Sequence, residues 1–512
     1  MRASGILLHI SSLPSPHGIG TMGAAAKDFV DFLVKAGQSY WQILPVCPTS
    51  YGDSPYQSFS TFAGNPYFID LDLLAKPGLL QPEEYESIDW ESTPGCVNYG
   101  ALYQKRYAVL HKACARLLAA PPADYANFLA KNAFWLPDYA LFMAHNGVCW
   151  QQWEEPLRRR EPETLAAARA KYAADIDFWQ AVQYLFYTQW HDLKAYANAQ
   201  GIEIIGDLPI YVAEDSVDVW SCPQEFQLDE NLVPTEVAGC PPDGFSATGQ
   251  LWGNPLFDWD AMAANGYAWW VRRIRHLCAI YDVLRIDHFR GFAGYYAIPY
   301  GDKTAENGRW RTGPGYALFA TVKKELGSPR IIAEDLGFLT DDVRALLKEC
   351  AYPGMKVLEF AFDSRDGGDY RPHSYPTNCI AYTGTHDNEP VDGWFGTALP
   401  DDIERAIQYL NLTKEEGMNW GMMRGIWSSV ADLAVVQAQD VLGLGHEARM
   451  NTPATLGGNW CWRALPGAFT PELAQKLHDA MELYGRLPEE PAAEPDETEK
   501  SEDAEKAAEP KT

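Results

Sequence analysis

Three short apolar runs in this 512-residue sequence stop at carboxylates: VLRID at 283–287, RIIAE at 330–334 and CIAYTGTHD at 379–387. The first also brings Arg285, His288 and Arg290 to the end of what otherwise reads as a buried strand. Ionisable groups left unpaired in low dielectric are costly, so their presence at an apolar strand end points to function. Arg285 stands two residues before Asp287 and points the same way from a strand, where its cation favours the ionised carboxylate that a nucleophile requires. Glu334 comes with no neighbouring cation, which suits a raised pKa and a general-acid role. His386, adjacent to Asp387, can donate hydrogen bonds to a ligand hydroxyl. Metal ligation uses the same residue types. Around these carboxylates, however, no His-x-x-x-His or Asp-x-Asp spacing occurs, and Arg285 argues against a bound cation. RTGPGY (311–316) is a glycine turn without a Walker lysine. No metal and no cofactor are expected. Paired carboxylates without a metal suit glycoside chemistry, in which two carboxyls about 5 Å apart carry the retaining reaction. The covalent intermediate then passes to water or to another sugar hydroxyl.

Such a site needs strands that end together. Apolar runs recur at 5–14, 40–46, 202–212, 283–291, 330–337, 355–363 and 379–388, with a weaker one at 433–445. Near-continuous Val/Ile/Leu runs read as parallel strands buried on both faces. Helical patterns such as AAAKDFVDFLVKAG (24–37) and DDVRALLKECAY (341–352) separate several of them. The expected fold is α/β: a (β/α)8 barrel of the TIM type with large helical and loop insertions. In a barrel the C-terminal strand ends converge on one face, which would gather Asp287, Glu334 and Asp387. The long interval between the second and third runs, about 50–200, reads as a mainly helical insertion. The Gly-, Pro- and Asp-rich stretch 221–259 reads as a loop held over one end, its Phe226, Phe245 and Trp252 able to favour a sugar over water at the acceptor side. Residues 1–487 are expected to form the catalytic unit. Residues 488–512 hold ten acidic and three basic side chains and no large apolar one, and read as a disordered acidic tail.

Composition narrows the ligand. The chain has 18 Trp and 27 Tyr, many beside Gly, Pro, Asn and Asp, and rings in loops suit the flat apolar faces of sugars. A net charge of −28 argues against nucleic acid and anionic membranes and favours a neutral ligand. Ten scattered cysteines without a CxxC pair read as reduced thiols of a cytoplasmic protein. MRASGILLHISSLP is too short and too polar for a signal peptide, and no run approaches the ~20 apolar residues of a membrane span.

Longer motifs are more specific. YGDSPYQSFSTFAGNPYFIDL (51–71), GDLPIYV (206–212), LWGNPLFDW (251–259), LRIDHFRG (284–291), AEDLG (333–337), GTHDN (384–388) and RMNTPATLGGNW (449–460) together resemble the 4-α-glucanotransferases, also called amylomaltases or disproportionating enzymes. The likeness runs in order from about residue 4 to 485. It implies an amylase-like barrel that transfers α-1,4-glucan segments between malto-oligosaccharides by retention and without a metal. It further implies Asp287 as nucleophile, Glu334 as acid/base, and Asp387 as the carboxylate that distorts the sugar and stabilises the transition state. Ser54, Tyr56, Asp207, Trp252, Arg285, His386 and Asn459 would contact the glucan. Ala454 stands where the resemblance leads one to expect glycine, which bears on the mobility of that loop and leaves the chemistry untouched. Two rivals use the same residues: an α-1,4-glucan hydrolase of the amylase type and a non-catalytic glucan-binding protein. The intact carboxylates count against the second.

Overall fold

The computed structural model describes residues 2–489, apart from 146, 243–245, 338 and 365–369. Phe245 and all but the first two residues of the acidic tail therefore lie outside the described residues.

Each of the eight apolar runs overlaps one strand: β1 (Ala3–Leu7), β2 (Tyr40–Gln42), β3 (Glu203–Leu208), β4 (Val283–Ile286), β5 (Ile331–Ala333), β6 (Gly354–Val357), β7 (Cys379–Tyr382) and β8 (Leu433–Gln437). They form one sheet in the order β6-β7-β8-β1-β2-β3-β4-β5, with every pair parallel. The Ala333 amide donates to the Pro353 carbonyl at 3.0 Å across the remaining seam, so the sheet curls into a nearly closed (β/α)8 barrel. Every residue of β4, β7 and β8 is buried, which is why their sequences lack alternation.

The insertion between β2 and β3 is helical, with long helices at Tyr99–Ala119 and Ala173–Ala199. The second of these holds the 51–71 segment in place. Gln183 bonds both the amide and the carbonyl of Gly64, at 2.7 and 2.9 Å, and Gln189 does the same for Asp70, at 2.7 and 3.0 Å. Buried backbone groups that no sheet pairs are satisfied in this way. Gly64 is needed for the approach, because a Cβ there would sit 2.0 Å from the Phe186 ring.

The 221–259 stretch differs from the expected loop. It contains strands Glu236–Cys240 and Gln250–Pro255, which pair antiparallel with each other and, through the former, with Gly294–Pro299 and then Arg309–Thr312. Half of this four-stranded sheet comes from beyond β4. Its partners are thus invisible within 221–259, where glycines and prolines mask the alternation. Among the described residues, no helix is long and apolar enough to cross a membrane.

Candidate active site

Register places the first three site residues. Asp207 of β3 lies opposite Arg285 of β4, and both point to the barrel axis near the C-terminal ends. Asp207 is 2 % and Arg285 3 % exposed. Arg285 Nη1 donates to Asp207 Oδ2 at 2.6 Å, and its Nη2 lies 3.0 Å from Asp287 Oδ1. Burial works to lower the pKa of this guanidinium, but Asp207 and Asp287 more than offset it, so Arg285 remains a cation. The Tyr56 hydroxyl donates to the same Asp207 oxygen at 2.8 Å. The other, Asp207 Oδ1, has no protein partner among the described residues and is a ready acceptor for a ligand hydroxyl.

The two remaining strand ends are bound together beside it. The Glu334 amide donates to Ile286 O at 2.9 Å and the Phe289 amide to Glu334 O at 3.0 Å. His288, in the left-handed region at φ 52°, turns its amide onto Glu334 Oε2 at 2.7 Å, while the Leu336 amide donates to Oε1 at 2.8 Å. The Glu334 carboxyl is thus tethered to the residue that follows Asp287. Burial, then the proximity of Asp287, push Glu334 up to about 7, against Arg285 and the two amides. Burial also raises Asp287, to about 6, with Arg285 the chief opposing influence. Arg285 thus acts in the direction expected from sequence, but burial outweighs it. The environments still separate the two carboxyls in the order a nucleophile and an acid need.

That order has a pH consequence. Asp287 must be ionised to attack and Glu334 protonated to donate. Hence kcat/KM falls below the lower apparent pKa of the pair and again above the higher one. A bell with limbs at about 6 and about 7 is expected when the initial rate on maltotriose is followed from pH 4 to 9. A profile that stays level through the alkaline range would rule out Glu334 as the proton donor.

Asp387 sits in the loop after β7 with its side chain 47 % exposed. Asn451 Nδ2 donates to its Oδ1 at 2.6 Å, and Arg449 Nη2 donates to its carbonyl at 2.7 Å. Arg449 also reaches Glu389 at 2.6 Å and Asn451 O at 2.9 Å, clamping two loops together. His386 is buried, with Nε2 3.4 Å from Asp387 Oδ1 and its ring stacked on Tyr56 at 5.0 Å. The Trp460 ring lies 5.8 Å from each of those two rings. Trp252 meets His288 edge to face at 4.8 Å.

The structure therefore brings Tyr56, Asp207, Arg285, Asp287, Glu334, His386 and Asp387 into one cluster, with Trp252 joined through His288. Ser54 and Asn459 are engaged within their own loops. Ser54 Oγ accepts from the Tyr56 amide at 3.2 Å, and Asn459 bonds Thr452 and Thr455 at 3.0–3.2 Å. Asn451, Arg449 and Trp460 are additions. All three lie in the RMNTPATLGGNW stretch, but nothing local in it says that Asn451 and Arg449 reach Asp387 across sixty-odd positions. Among the described residues, no group of three His, Cys, Asp or Glu is disposed to hold a metal ion.

A sequence model of the 4-α-glucanotransferase family matches residues 8–467. The chain is 49 % identical to a 4-α-glucanotransferase of Clostridium butyricum over 94 % of its own length and 100 % of that protein's. It is 47 % identical to one from Thermus thermophilus over 95 % and 99 %. Among solved structures, an amylomaltase from Streptococcus agalactiae in complex with acarbose superposes with a TM-score of 0.93 at 43 % identity, covering 95 % of this chain and 100 % of that one.

Proposed function

The chain belongs to the 4-α-glucanotransferase family, and on that premise we propose that Asp287, Glu334 and Asp387 carry its transfer reaction by retention. The enzyme moves α-1,4-glucan segments from a donor to an acceptor. In the first step an Asp287 oxygen bonds to the anomeric carbon as the bond to the leaving glucan oxygen breaks. The Glu334 proton passes to that oxygen. In the second step Glu334, now a base, takes the proton of an acceptor hydroxyl, whose oxygen displaces Asp287 from the anomeric carbon. Arg285 holds Asp287 for attack, and Asp387 distorts the sugar and stabilises the positive charge that develops on its ring, with His386 beside it as a glucan contact. The observation that carries this reading is the His288 amide on Glu334, which sets an acid of raised pKa beside an arginine-bound aspartate.

Tyr56, Asp207, Trp252, Arg285 and His386 are proposed to contact the glucan, with Ser54 and Asn459 holding the loops that border it. We take residues 1–487 as one catalytic unit with insertions at about 50–200 and 221–259. One continuous apolar core extending from Ile6 to Met481 supports this. Malto-oligosaccharides are the proposed substrates, the net charge of −28 supports a neutral ligand over nucleic acid, and the scattered cysteines support a cytoplasmic setting.

Incubation with maltotriose alone tests the reading. A ladder of longer oligomers with glucose is the expected product pattern. Glucose and maltose without a ladder would mean hydrolysis, and unchanged maltotriose would mean binding without turnover.

A further inference from the structure

Cys96 and Cys461 are far apart in sequence and adjacent in space. The Val97 amide donates to Cys461 O at 2.8 Å and the Arg463 amide to Gly95 O at 2.9 Å, which makes a short antiparallel bridge of Cys96 with Trp462. The register sets Cys96 opposite Trp462, and the side chain of the preceding residue, Cys461, interacts with that of Cys96. Both are partly exposed, so a small oxidant can reach them. Each thiol also donates weakly to a carbonyl: Cys96 Sγ to Val97 O at 3.6 Å, and Cys461 Sγ to Gly458 O at 3.3 Å. The buried Arg463 guanidinium interacts with Cys96 and supplies positive charge on that side of the pair. Burial and the neighbouring Cys96 thiol push Cys461 up to about 12.

Cys461 also ends the loop that completes the site. Its neighbour Trp460 is left-handed at φ 65° and flanks Tyr56 and His386; its carbonyl accepts from Tyr99 at 3.0 Å. Ala454, Gly457 and Gly458 in the same loop also have positive φ, at 61°, 80° and 76°. A left-handed alanine or tryptophan costs roughly 1–2 kcal/mol, so this backbone is held by its surroundings and responds when they change.

We propose that Cys96 and Cys461 are a modification site at which a peroxide installs a reversible disulfide, and that this bond restrains the 451–460 loop and slows transfer. One of the two sulfurs attacks a peroxide oxygen, giving a sulfenic acid and, from hydrogen peroxide, one water. The other thiol then gives up its proton and attacks the sulfenic sulfur, and that proton leaves with the sulfenic oxygen in the second water as the S–S bond forms. Two thiols are oxidised by two electrons and one peroxide is reduced. Disulfide geometry holds the two Cα atoms at a set separation and draws Cys461 Sγ away from Gly458 O, so Trp460 and the loop behind it lose freedom to admit a glucan.

The inference rests on the transferase reading for its rate effect alone, because the crosslink is read by mass. Full-length enzyme is treated with hydrogen peroxide, its remaining thiols are alkylated, and its peptides are analysed by mass spectrometry. A Cys96–Cys461 crosslinked peptide is expected, together with a several-fold loss of maltotriose transfer, both reversed by dithiothreitol. Cys96→Ser should keep the basal rate and lose the peroxide response. Should that variant not fold, Cys461→Ser gives the same comparison. Absence of the crosslinked peptide while other thiols oxidise would overturn the proposal. So would a crosslinked enzyme of unchanged rate, or a Cys96→Ser enzyme still inhibited reversibly. Failure of the transferase reading would show instead as a reduced enzyme already inactive on maltotriose.

Discussion

Asp287→Ala reduces kcat for maltotriose transfer by on the order of 10⁴-fold while malto-oligosaccharide affinity stays largely intact. Alanine removes the only atom proposed to bond to the anomeric carbon. The buried cation it leaves behind is still compensated, because Arg285 keeps its 2.6 Å contact with Asp207. The fold is therefore not asked to bear an unpaired charge, which would be a large penalty. Tyr56, His386 and Trp252 are held by partners other than Asp287, so the glucan contacts proposed for them persist. Steady-state rates and calorimetric titration with maltotetraose separate the two effects. A variant that retains a sizeable share of the rate would remove Asp287 from the nucleophile role.

Glu334→Gln should slow reaction of maltotriose by about 10²–10⁴-fold, the range of a lost general acid, yet slow the first step of an α-glucosyl fluoride far less. Fluoride leaves without a proton, whereas a sugar oxygen needs one. The change also has a structural side. Glu334 accepts from the His288 amide on one oxygen and the Leu336 amide on the other, and a glutamine NH2 cannot accept either bond. One amide loses its partner, at a cost of about 1–3 kcal/mol. The fluoride donor serves as the control for that disturbance, since a misplaced Asp287 would slow both substrates alike. Equal damage to the fluoride and to maltotriose would refute the acid assignment.

Much of this site could be read along the chain. Barrel strands buried on both faces require continuous apolar runs, a local property, and each of the eight runs overlaps a strand. Asp287 and Glu334 directly follow β4 and β5, and Asp387 follows β7 by five positions, so their common face follows from strand direction alone. Even the sign of Arg285's influence on Asp287 follows from a spacing of two. The type of barrel and the residues that bring charge to its rim were thus written in composition and order.

What lay beyond that reading depends on pairs of distant residues. Asn451 and Arg449 position Asp387, yet an asparagine in a loop reveals no partner until the chain returns to β8 and past it. The strands within 221–259 find half their sheet after β4. Gln183 and Gln189 look like polar interruptions of a helix until Gly64 and Asp70 are packed beneath them. The net shift of Asp287 is likewise tertiary, because its adjacent arginine is a matter of sequence while the burial that outweighs it is a matter of packing. A sequence records which side chains avoid water and which carry charge. Only folding decides what each meets there, because desolvation and hydrogen bonding act over a few ångströms in space, whatever the separation along the chain.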